Sequence, residues 1–528
     1  MQFWATNFSN RNEGVEIAGF GMILVLAGLL ISCTAQPAYT CHQDSQCIAS
    51  SGTTGKCENN GVCSFPDTTC AGTRRRYANG LSSDCVAVPF CTNNGGCIST
   101  DGRHGVCEAS GRCSYYDASC STSRRILDGE KNACVPAGNS CITQLSLGEA
   151  HSCALRTDGA IYCWGRNDEG QVGDGTEQDR STPTRVVGLP AGRTVLQIAA
   201  GELHTCAILD DNTVWCWGTN EQHILGQCND AALVSSAQPL MVPRWGANTA
   251  ASPACDPTTP FKATSIAAGG VHNCAVGTDA SVYCWGENSH GNQGGQCGQD
   301  NGILDPVPGP LKIAGTITQG ANAVQVGDEY SCILASDHSV WCFGCNDLYE
   351  LGQGSGNSVN SYKPLAVQGL ADVDYLVLAD ETGCVVTRQK TLFCWGSGST
   401  GIFGKQLSDI DRASYITNGT GAFSGGTSAS LCVTQSDGSF SCFGANDLGQ
   451  CGNGTSSPQA TFAPTSSSTY LATVSKASLG ATHTCAITTD GALWCWGAND
   501  HGQLGDGQIL GSETQLVTVP KRISFPCP

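Results

Sequence analysis

Short apolar runs alternate with polar turns along most of this chain. From Cys141 onward, an apolar run, a polar turn centred on Asp-Gly and a second apolar run recur seven times, with periods of 48 to 68 residues. Apolar runs of this length around such a turn are typical of a β-hairpin. All-β units repeated at this period are typical of propeller blades. The seven copies begin at Gly148, Gly201, Gly269, Gly327, Ala379, Thr427 and Gly480.

Two Cys residues, ten positions apart, occupy equivalent places in every copy. An Asp lies midway between them in six copies, at Asp158, Asp211, Asp279, Asp337, Asp437 and Asp490, whereas Gln389 takes its place in the fifth. The two Cys therefore oppose each other across the hairpin, where Cα atoms are about 4.5–5.5 Å apart, a spacing that a disulfide accepts. The predicted disulfides are Cys153–Cys163, Cys206–Cys216, Cys274–Cys284, Cys332–Cys342, Cys384–Cys394, Cys432–Cys442 and Cys485–Cys495.

An aromatic residue followed by Gly ends each hairpin. The aromatic residues are Trp164, Trp217, Trp285, Phe343, Trp395, Phe443 and Trp496, and we expect them to pack between neighbouring blades. A Gly found at one position of every copy indicates a bulge or a close approach of two backbones. These are Gly165, Gly218, Gly286, Gly344, Gly396, Gly444 and Gly497.

The full motif reads Gly-x-x-His-x-Cys-Ala, then Asp-Gly, Trp-Gly and Asn-Asp-x-Gly-Gln-Leu-Gly. It resembles the repeat of the regulator-of-chromosome-condensation family. The resemblance implies a seven-bladed β-propeller, four strands per blade, over residues 141–527. The founding member of that family is a guanine-nucleotide exchange factor for a small nuclear GTPase and also binds chromatin. An exchange-factor-like regulator of a small GTPase is therefore the alternative function that the resemblance implies.

The N-terminal segment predicts export. Residues 19–32 form an apolar run that suits a signal peptide and is short for a membrane-spanning helix. Leu30-Ile31-Ser32-Cys33 resembles the bacterial lipobox, which implies that Cys33 is lipidated and that residues 1–33 are the signal peptide. The alternative is an ordinary signal peptide cleaved nearby. Thirty-four Cys also indicate an oxidising compartment. We expect a protein anchored by lipid to the bacterial cell envelope (outer membrane or surface), or else a secreted one.

Two Cys-rich modules follow a linker at residues 34–40. They span residues 41–90 and 91–140, and each has six Cys at nearly identical spacing. Units this small bury too little apolar surface to fold without cross-links. Three disulfides per module are therefore expected, and the sequence leaves their connectivity open. The first set is Cys41, Cys47, Cys57, Cys63, Cys70 and Cys85, and the second is Cys91, Cys97, Cys107, Cys113, Cys120 and Cys134.

Seven further Cys lie between residues 141 and 527. A closed ring brings its ends together, so we expect a Cys141–Cys527 disulfide. An insertion in the second copy is expected to form a loop pinned by Cys228–Cys255. Of Cys297, Cys345 and Cys451, one is then left unpaired.

The charge and the remaining motifs argue against nucleic-acid binding and against metal binding. Asp and Glu outnumber Lys and Arg by 45 to 26, which gives a net charge of −19 and disfavours nucleic acid as a partner. His151, His204, His272 and His483 recur one per copy and are interpreted as structural, not as metal ligands. Asn167–Gly170 and Asn499–Gly502 are interpreted as turns, because they lack the ligand pattern of a calcium loop.

No catalytic motif is evident, and the sequence predicts neither an enzyme nor a metal or cofactor site. We expect an exported module that binds a protein or another envelope ligand and acts in adhesion or as a scaffold. Its membrane contact would be through the lipid anchor alone.

Overall fold

The computed structural model describes residues 141–228, 232–246, 254–288, 295–299, 306–315, 317–398, 403, 408–424, 429–435, 440–464, 471, 474–511 and 515–527, and seven short strands before residue 137. The chain divides into two compact units, Met1–Ala137 and Gly138–Pro528. The first unit holds a three-stranded sheet, β1 to β3, and a four-stranded sheet, β4 to β7. These strands are Lys56–Cys57, Cys63–Phe65, Arg75–Arg76, Val106–Cys107, Cys113–Tyr116, Arg124–Leu127 and Cys134–Pro136.

The second unit is an all-β propeller. Its first sheets comprise β8 to β11, at Ile142–Leu147, His151–Arg156, Ile161–Gly165 and Arg180–Arg185, and β12 to β15, at Val195–Ala200, His204–Leu209, Val214–Thr219 and Ser235–Met241. An inserted two-stranded sheet follows, with β16 at Pro243–Gly246 and β17 at Ala254–Pro260. The next sheets comprise β18 to β21, at Ala263–Ala268, His272–Gly277, Val282–Gly286 and Val307–Lys312, and β22 to β25, at Ala321–Val326, Tyr330–Ala335, Val340–Gly344 and Ser361–Ala366.

The remaining strands form two more sheets. The first comprises β26 to β32, at Val373–Ala379, Thr382–Thr387, Thr391–Gly396, Ile410–Ser424, Ser430–Gln435, Phe440–Gly444 and Gln459–Pro464. The second comprises β33 to β36, at Val474–Leu479, His483–Thr488, Leu493–Gly497 and Val517–Ile523. One 3₁₀ turn lies at Glu221–His223.

All seven hairpins are closed by a disulfide, and we number them repeats 1 to 7 in chain order. In repeat 1, Cys153 lies directly opposite Cys163, and the Cα atoms of every pair are 4.1 Å apart. The turn Asp stabilises its hairpin, because Asp158 Oδ1 accepts the Ala160 N–H at 3.1 Å. Each disulfide closes a short loop, which stabilises the fold by about 3 kcal/mol at most in the loop-entropy model.

The Gly after each aromatic residue lies at a β-bulge. The register between the third and fourth strands shifts between Cys163 and Gly165, and the same shift recurs in the other repeats. Gly165 has φ +102°, and a Cβ there would lie 2.4 Å from the Ala150 carbonyl oxygen. A side chain is therefore excluded both by the backbone conformation and by the neighbouring strand.

The predicted count of seven blades is wrong: the propeller has six. Five blades are four-stranded sheets, whereas repeats 5 and 6 share a single seven-stranded sheet. The cause is β29, whose first part pairs with β28 and whose last part pairs with β30. Elsewhere a loop separates the outer strand of one repeat from the inner strand of the next, as between Arg185 and Val195. No such loop interrupts β29, so the two repeats merge.

The Cys outside the hairpins are placed as follows. Cys141 is bonded to Cys527 across a sequence separation of 386 residues, which ties the two ends of the ring. Cys228 is disulfide-bonded, and the insertion that follows it is a hairpin, β16 and β17, not a simple loop. Cys297, Cys345 and Cys451 are all buried thiols, so the expectation that one of the three is left over is wrong. They belong to repeats 3, 4 and 6, respectively.

Several predictions concern residues outside the described ones. These are the signal peptide, Cys33, the linker, the disulfides of the two modules, the side chain of Cys255 and Asp437. Across the portion of the chain that is described, none of the helical segments has the length and apolar character needed to cross a membrane.

Candidate functional site

Each interface between neighbouring repeats is built around a buried aromatic anchor. Trp217 of repeat 2 is fully buried, and its indole N–H donates to the Gln171 carbonyl of repeat 1 at 2.9 Å. Trp164 donates to Gln503 in the same way at 2.9 Å, and Trp395 donates to Glu350 at 2.7 Å. The Gly two residues after this carbonyl makes room for the ring, because a Cβ at Gly173 would lie 2.6 Å from Trp217 Nε1.

A second contact, which we call the His lock, joins neighbouring repeats at four of the interfaces. His151 Nε2 lies 2.9 Å from Thr205 Oγ1 in the next repeat, and Thr205 Oγ1 donates to the Gln171 carbonyl at 3.0 Å. The hydroxyl therefore accepts from the imidazole, which assigns the proton to Nε2. The other locks are His204 to Asn273 at 2.8 Å, His272 to Ser331 at 2.8 Å and His483 to Ser152 at 2.7 Å.

The lock histidines are neutral and fully buried. Burial lowers the pKa of His151, His272 and His483 to about 3 and that of His204 to about 4. The rings of His151, His204 and His483 also pack against a Gly; a Cβ at Gly148, for example, would lie 2.3 Å from His151 Cε1. The structural interpretation of these four residues agrees with this arrangement, in which each one joins two repeats.

The interface between repeats 4 and 5 is built differently. Tyr330 replaces the lock His, and the residue that would receive its hydrogen bond is Gly383, which has no side chain. The Tyr330 hydroxyl is buried and has no hydrogen-bond partner among the described residues. Burial, together with the charges of Glu350, Asp380 and Glu381, raises the pKa of Tyr330 well above its ordinary value. This interface keeps the Trp395 anchor but has no lock.

Acidic side chains gather where the innermost strands turn back into the second strands. We call Glu149, Glu202, Asp328, Asp380 and Glu381 the acidic mouth. Backbone hydrogen bonds join their loops around the ring: Glu149 N–H donates to the Glu202 carbonyl at 3.2 Å, and Asp328 N–H donates to the Asp380 carbonyl at 3.3 Å. A Cβ at Gly270 would lie 2.9 Å from Glu202 Oε1 and 3.1 Å from Asp328 Oδ1, so these two carboxylates approach each other over repeat 3.

The acidic mouth is electrostatically unfavourable for its own carboxylates. Burial, with Glu381 and Asp328 adding to it, raises the pKa of Asp380 to about 7. Burial also raises the pKa of Glu202, and the charges of Asp328 and Glu149 raise it further. Arg166 neutralises one end of the cluster, since its Nη1 lies 3.1 Å from Glu149 Oε2. Half-buried carboxylates held this close attract cations.

A cleft of about 430 Å³ lies at the seam between repeats 7 and 1. It is lined by Thr182, Pro183, Gly505, Asp506, Lys521, Arg522, Ser524 and Pro526. Lys521 Nζ lies 2.5 Å from Asp506 Oδ2, so these two charged residues of the cleft neutralise each other. No group of three or more potential metal ligands converges here or elsewhere in the described residues. The acidic mouth is therefore the stronger candidate site.

Comparison with known families agrees with the fold and the repeat. The model of the RCC1-like domain matches residues 107–420, more than half of the chain, and the model of the regulator of chromosome condensation repeat matches residues 437–487, 474–503 and 490–527. The chain belongs to the RCC1 repeat family. Each of its seven RCC1 repeats has a disulfide across the hairpin.

Curated relatives share part of the chain. Human E3 ubiquitin-protein ligase HERC2 is 26% identical over 264 residues, which is 49% of this chain and 5% of HERC2. The ultraviolet-B receptor UVR8 of Arabidopsis thaliana is 25% identical over 269 residues, which is 50% of this chain and 54% of UVR8. The matched segments thus span about half of UVR8 or far less of HERC2, and the relatives support a protein-binding or regulatory module.

Solved structures share the RCC1-like propeller. Prp20p of Saccharomyces cerevisiae has a TM-score of 0.58 at 18% identity, with 70% of this chain and 87% of Prp20p covered. Prp20p binds Gsp1p and histones. Human WBSCR16 has a TM-score of 0.57 at 19% identity, with 70% of this chain and 95% of WBSCR16 covered. At these identities the likeness extends to the fold alone.

Sequence reasoning missed the acidic mouth and the receivers of the His lock. The receivers are small polar residues directly after the lock His, as in His151-Ser152-Cys153, and this recurring position was a usable signal. The mouth carboxylates are separated by more than 50 residues along the chain in most cases, and closure of the ring brings them together.

Proposed function

We propose that this protein is an exported, lipid-anchored binding module whose acidic mouth binds a Lys- or Arg-rich segment of a partner protein. The observation that carries the proposal is the gathering of five carboxylates on adjoining loops of one ring. Several of these carboxylates have a raised pKa, and Arg166 is paired with Glu149 alone among them. A cationic partner would lower the energy of this cluster and would be steered towards it.

The rigid frame supports a binding role. Seven hairpin disulfides, the Cys141–Cys527 disulfide and the aromatic anchors hold the mouth loops in place. A preorganised surface loses little conformational entropy when it binds, which favours affinity. Loops carried on a rigid scaffold are the usual location of binding residues.

The disulfides also support export. Structural disulfides form and persist in oxidising compartments and are rare in the cytosol. The apolar run at residues 19–32 followed by Cys33 supplies a route to the envelope, and two or three acyl chains would give stable anchoring. Detergent phase partitioning of the full chain tests the anchor. Cys33→Ser should move the protein from the detergent to the aqueous phase, and an unchanged distribution would contradict lipidation of Cys33.

The activities of the relatives are not carried over to this chain. The part of HERC2 that it matches is a small fraction of that ligase, and Prp20p shares the fold at 18% identity. An exchange factor for a cytosolic GTPase would also conflict with a disulfide-dependent propeller. Binding through the mouth requires neither activity.

Charge-neutralising variants test the acidic mouth in the full chain with Cys33→Ser. One variant combines E149Q, E202Q, D328N, D380N and E381Q. A matched control removes the same charge from exposed positions elsewhere, with E177Q, D210N, E221Q, D372N and D447N. Binding of a fluorescent oligolysine peptide is measured by anisotropy at two salt concentrations.

We expect the mouth variant to bind at least about tenfold more weakly and to lose most of its salt dependence. The control variant should stay close to the unmodified chain. Equal loss in both variants would show a general charge effect and would contradict the assignment of the site. Binding that is unchanged in the mouth variant would contradict it as well.

A further inference from the structure

The propeller ring closes at the seam between repeats 7 and 1, where its two chain ends meet. At the interface of repeats 1 and 2, residues 186–194 lead from the outermost strand β11 to the innermost strand β12. At the seam, Cys141 directly precedes the innermost strand β8, and Cys527 follows the outermost strand β36. The Cys141–Cys527 disulfide, which we call the clasp, therefore takes the place of a stretch of backbone.

The sheets on the two sides of the seam do not exchange strands. β8 to β11 form one sheet and β33 to β36 form another, and among the described strands none is shared between the two. A strand donated by the other end of the chain would close a ring with a ladder of backbone hydrogen bonds. This ring has the clasp instead, so its covalent closure depends on one disulfide.

The clasp differs from the hairpin disulfides in its access to solvent. Cys527 is exposed, and its partner Cys141 is 7% exposed. Every Cys of the seven hairpin disulfides is 0% exposed, as in Cys153 and Cys163. Because thiol–disulfide exchange requires a thiolate to reach a sulfur atom, exposed disulfides are the ones that react first.

We propose that the clasp is a site of thiol–disulfide exchange, at which a dithiol reductant opens the ring while the hairpin disulfides stay intact. One thiolate of the dithiol attacks Cys527 Sγ, the clasp S–S bond breaks, and Cys141 leaves as a thiolate that takes up a proton. The second thiolate of the dithiol then attacks the mixed disulfide and releases Cys527, which also takes up a proton. The dithiol is oxidised to a cyclic disulfide, and its two electrons reduce the clasp to two thiols.

The surroundings of the two sulfur atoms favour attack at Cys527. Cys141 belongs to the buried cluster at the seam, and its carbonyl accepts the Thr157 N–H at 2.7 Å. Cys527 lies in the C-terminal tail, residues 524–527, which follows β36. The Cys527 N–H donates to the Phe525 carbonyl at 2.8 Å, a contact within the tail itself. The clasp thus joins a buried sulfur to a sulfur on a surface segment, where a reductant has access.

Two contacts hold the C-terminal tail on repeat 1. The Phe525 ring packs edge-on against the rings of Tyr162 and Trp164, with centroid distances of 5.4 Å and 6.3 Å. Arg156 Nη1 donates to the Pro526 carbonyl at 2.8 Å. Neither contact needs the disulfide, so the two thiols stay close together after reduction. A disulfide oxidant such as oxidised glutathione would then close the clasp again.

The seam keeps other contacts when the clasp is reduced. The His483–Ser152 lock at 2.7 Å and the Trp164 anchor on the Gln503 carbonyl at 2.9 Å do not involve it. We therefore expect the reduced ring to stay folded but to be less stable. The loss should exceed that for a hairpin disulfide, because the loop that the clasp closes is far longer. This inference goes beyond the proposed binding function and does not depend on it.

Differential alkylation of the full chain under native conditions tests the proposal. The oxidised protein is treated with dithiothreitol for increasing times, and the thiols that appear are blocked with N-ethylmaleimide. The chain is then unfolded, and the remaining disulfides are reduced and labelled with iodoacetamide. Peptide mapping reads each Cys separately. The buried thiols Cys345 and Cys451 report whether the propeller unfolded during the treatment.

We expect the two Cys of the clasp to be blocked at least about tenfold faster than the Cys of any hairpin disulfide, since access limits the exchange. The two buried thiols should stay unblocked over the same time. Phe525→Ala should speed the opening further, because it removes the ring that seats the tail. Ser524→Ala, at an exposed position of the same tail, is the matched control and should leave the rate unchanged.

A thermal melt measures what the clasp does for the ring. Brief treatment with dithiothreitol, followed by its removal, should lower the Tm of the unmodified chain by several degrees. The same treatment should change the Tm of the double variant Cys141→Ser, Cys527→Ser far less, although that variant keeps all the other disulfides. Oxidised glutathione should restore the Tm of the treated unmodified chain.

Hairpin Cys that are blocked as fast as the clasp, or a clasp that stays oxidised, would overturn the proposal. Blocking of the clasp only together with the buried thiols would contradict it as well, because opening would then require unfolding. An equal fall of Tm in the unmodified chain and in the double variant would assign the effect to another disulfide. None of these results affects the peptide-binding test of the acidic mouth, so the two proposals fail separately.

Discussion

The interface between repeats 1 and 2 and the interface between repeats 4 and 5 use the same Trp anchor with opposite polar chemistry. In the first, His151 and Thr205 form a neutral lock around the Gln171 carbonyl. In the second, Tyr330 takes the position of the lock His and Gly383 that of its receiver, while burial raises the pKa of Glu350 and of Asp380 to about 7. Both interfaces are buried, yet one depends on groups that must stay uncharged in acid and the other on groups that must stay uncharged in base.

The repeats share one backbone arrangement, but the stability of their interfaces depends on pH in opposite directions. The lock histidines have depressed pKa values, so their stabilisation is complete above about pH 6.5 and is lost as the pH falls towards 3. The carboxyls of repeats 4 and 5 have raised pKa values, so theirs is lost as the pH rises through about 7. The four locks join repeats 7, 1, 2, 3 and 4 in sequence, which leaves the acidic interface outside that arc.

Acidification should have the largest effect on the locked arc. Between pH 6.5 and 4, protonation in the unfolded chain removes about 3 kcal/mol of stability per lock His whose pKa is about 3, because one pKa unit corresponds to about 1.4 kcal/mol. Summed over the four locks, this is comparable to the whole stability of a typical domain. Circular dichroism melts should show Tm falling steeply below pH 6. A Tm that stays flat from pH 7 to pH 4 would contradict neutral buried histidines.

Removing the ring closure should have the next largest effect. The double variant Cys141→Ser, Cys527→Ser opens a loop of several hundred residues, which costs about 6 kcal/mol in the loop-entropy model. The matched control, Cys432→Ser with Cys442→Ser, opens a short hairpin and costs about 3 kcal/mol in the same model. Urea unfolding of both variants checks the order. A larger loss in the hairpin variant would indicate that strain, not loop closure, sets the contribution.

Deleting one lock should destabilise more than deleting a polar contact within a repeat. His151→Ala leaves a cavity beside Gly148 and removes the donor to Thr205, so we expect a loss of about 3 kcal/mol. Thr382→Ala in repeat 5 removes only a hydrogen bond to the Ser397 carbonyl within its own repeat, and about 1 kcal/mol is expected. Urea unfolding at pH 7.5 compares the two. Equal losses would mean that the lock adds nothing to the interface.

Neutralising a single mouth carboxylate should have the smallest effect, with a stabilising sign. Glu202→Gln removes a charge that is disfavoured by burial and repelled by Asp328 and Glu149. Because isolated charge pairs near a surface contribute little, we expect a gain of less than about 1 kcal/mol at pH 8. Asp210→Asn, at an exposed position, is the control and should change little. Differential scanning calorimetry at pH 8 measures both. A clear loss of Tm in Glu202→Gln would show that this carboxylate supports the fold.

The sequence allowed the local structure to be predicted well. The Cys pairs, the Asp turns and the Gly bulges follow from short-range geometry, and the same pattern recurs along the repeats. The blade count failed at β29, because nothing in the local pattern shows that repeat 5 passes into repeat 6 without a loop. Strand continuity of this kind depends on how far two sheets are offset, which is a property of the ring.

The acidic mouth could not be predicted from the sequence for a similar reason. Glu149, Glu202, Asp328 and Asp380 look like ordinary exposed acidic residues when the chain is taken in order. Ring closure alone sets one carboxylate against another, and the absence of a side chain at Gly270 lets Glu202 and Asp328 approach.

Hydrogen exchange measured by mass spectrometry across pH tests the contrast between the two interfaces most directly. Protection of β13 and of β27 in the unmodified full chain is followed from pH 5 to pH 8.5, with correction for the intrinsic exchange rates. We expect β27 to lose protection as the pH rises through about 7, whereas β13 should lose protection only on the acid side. Parallel changes in the two strands, or greater protection of β27 at high pH, would contradict it.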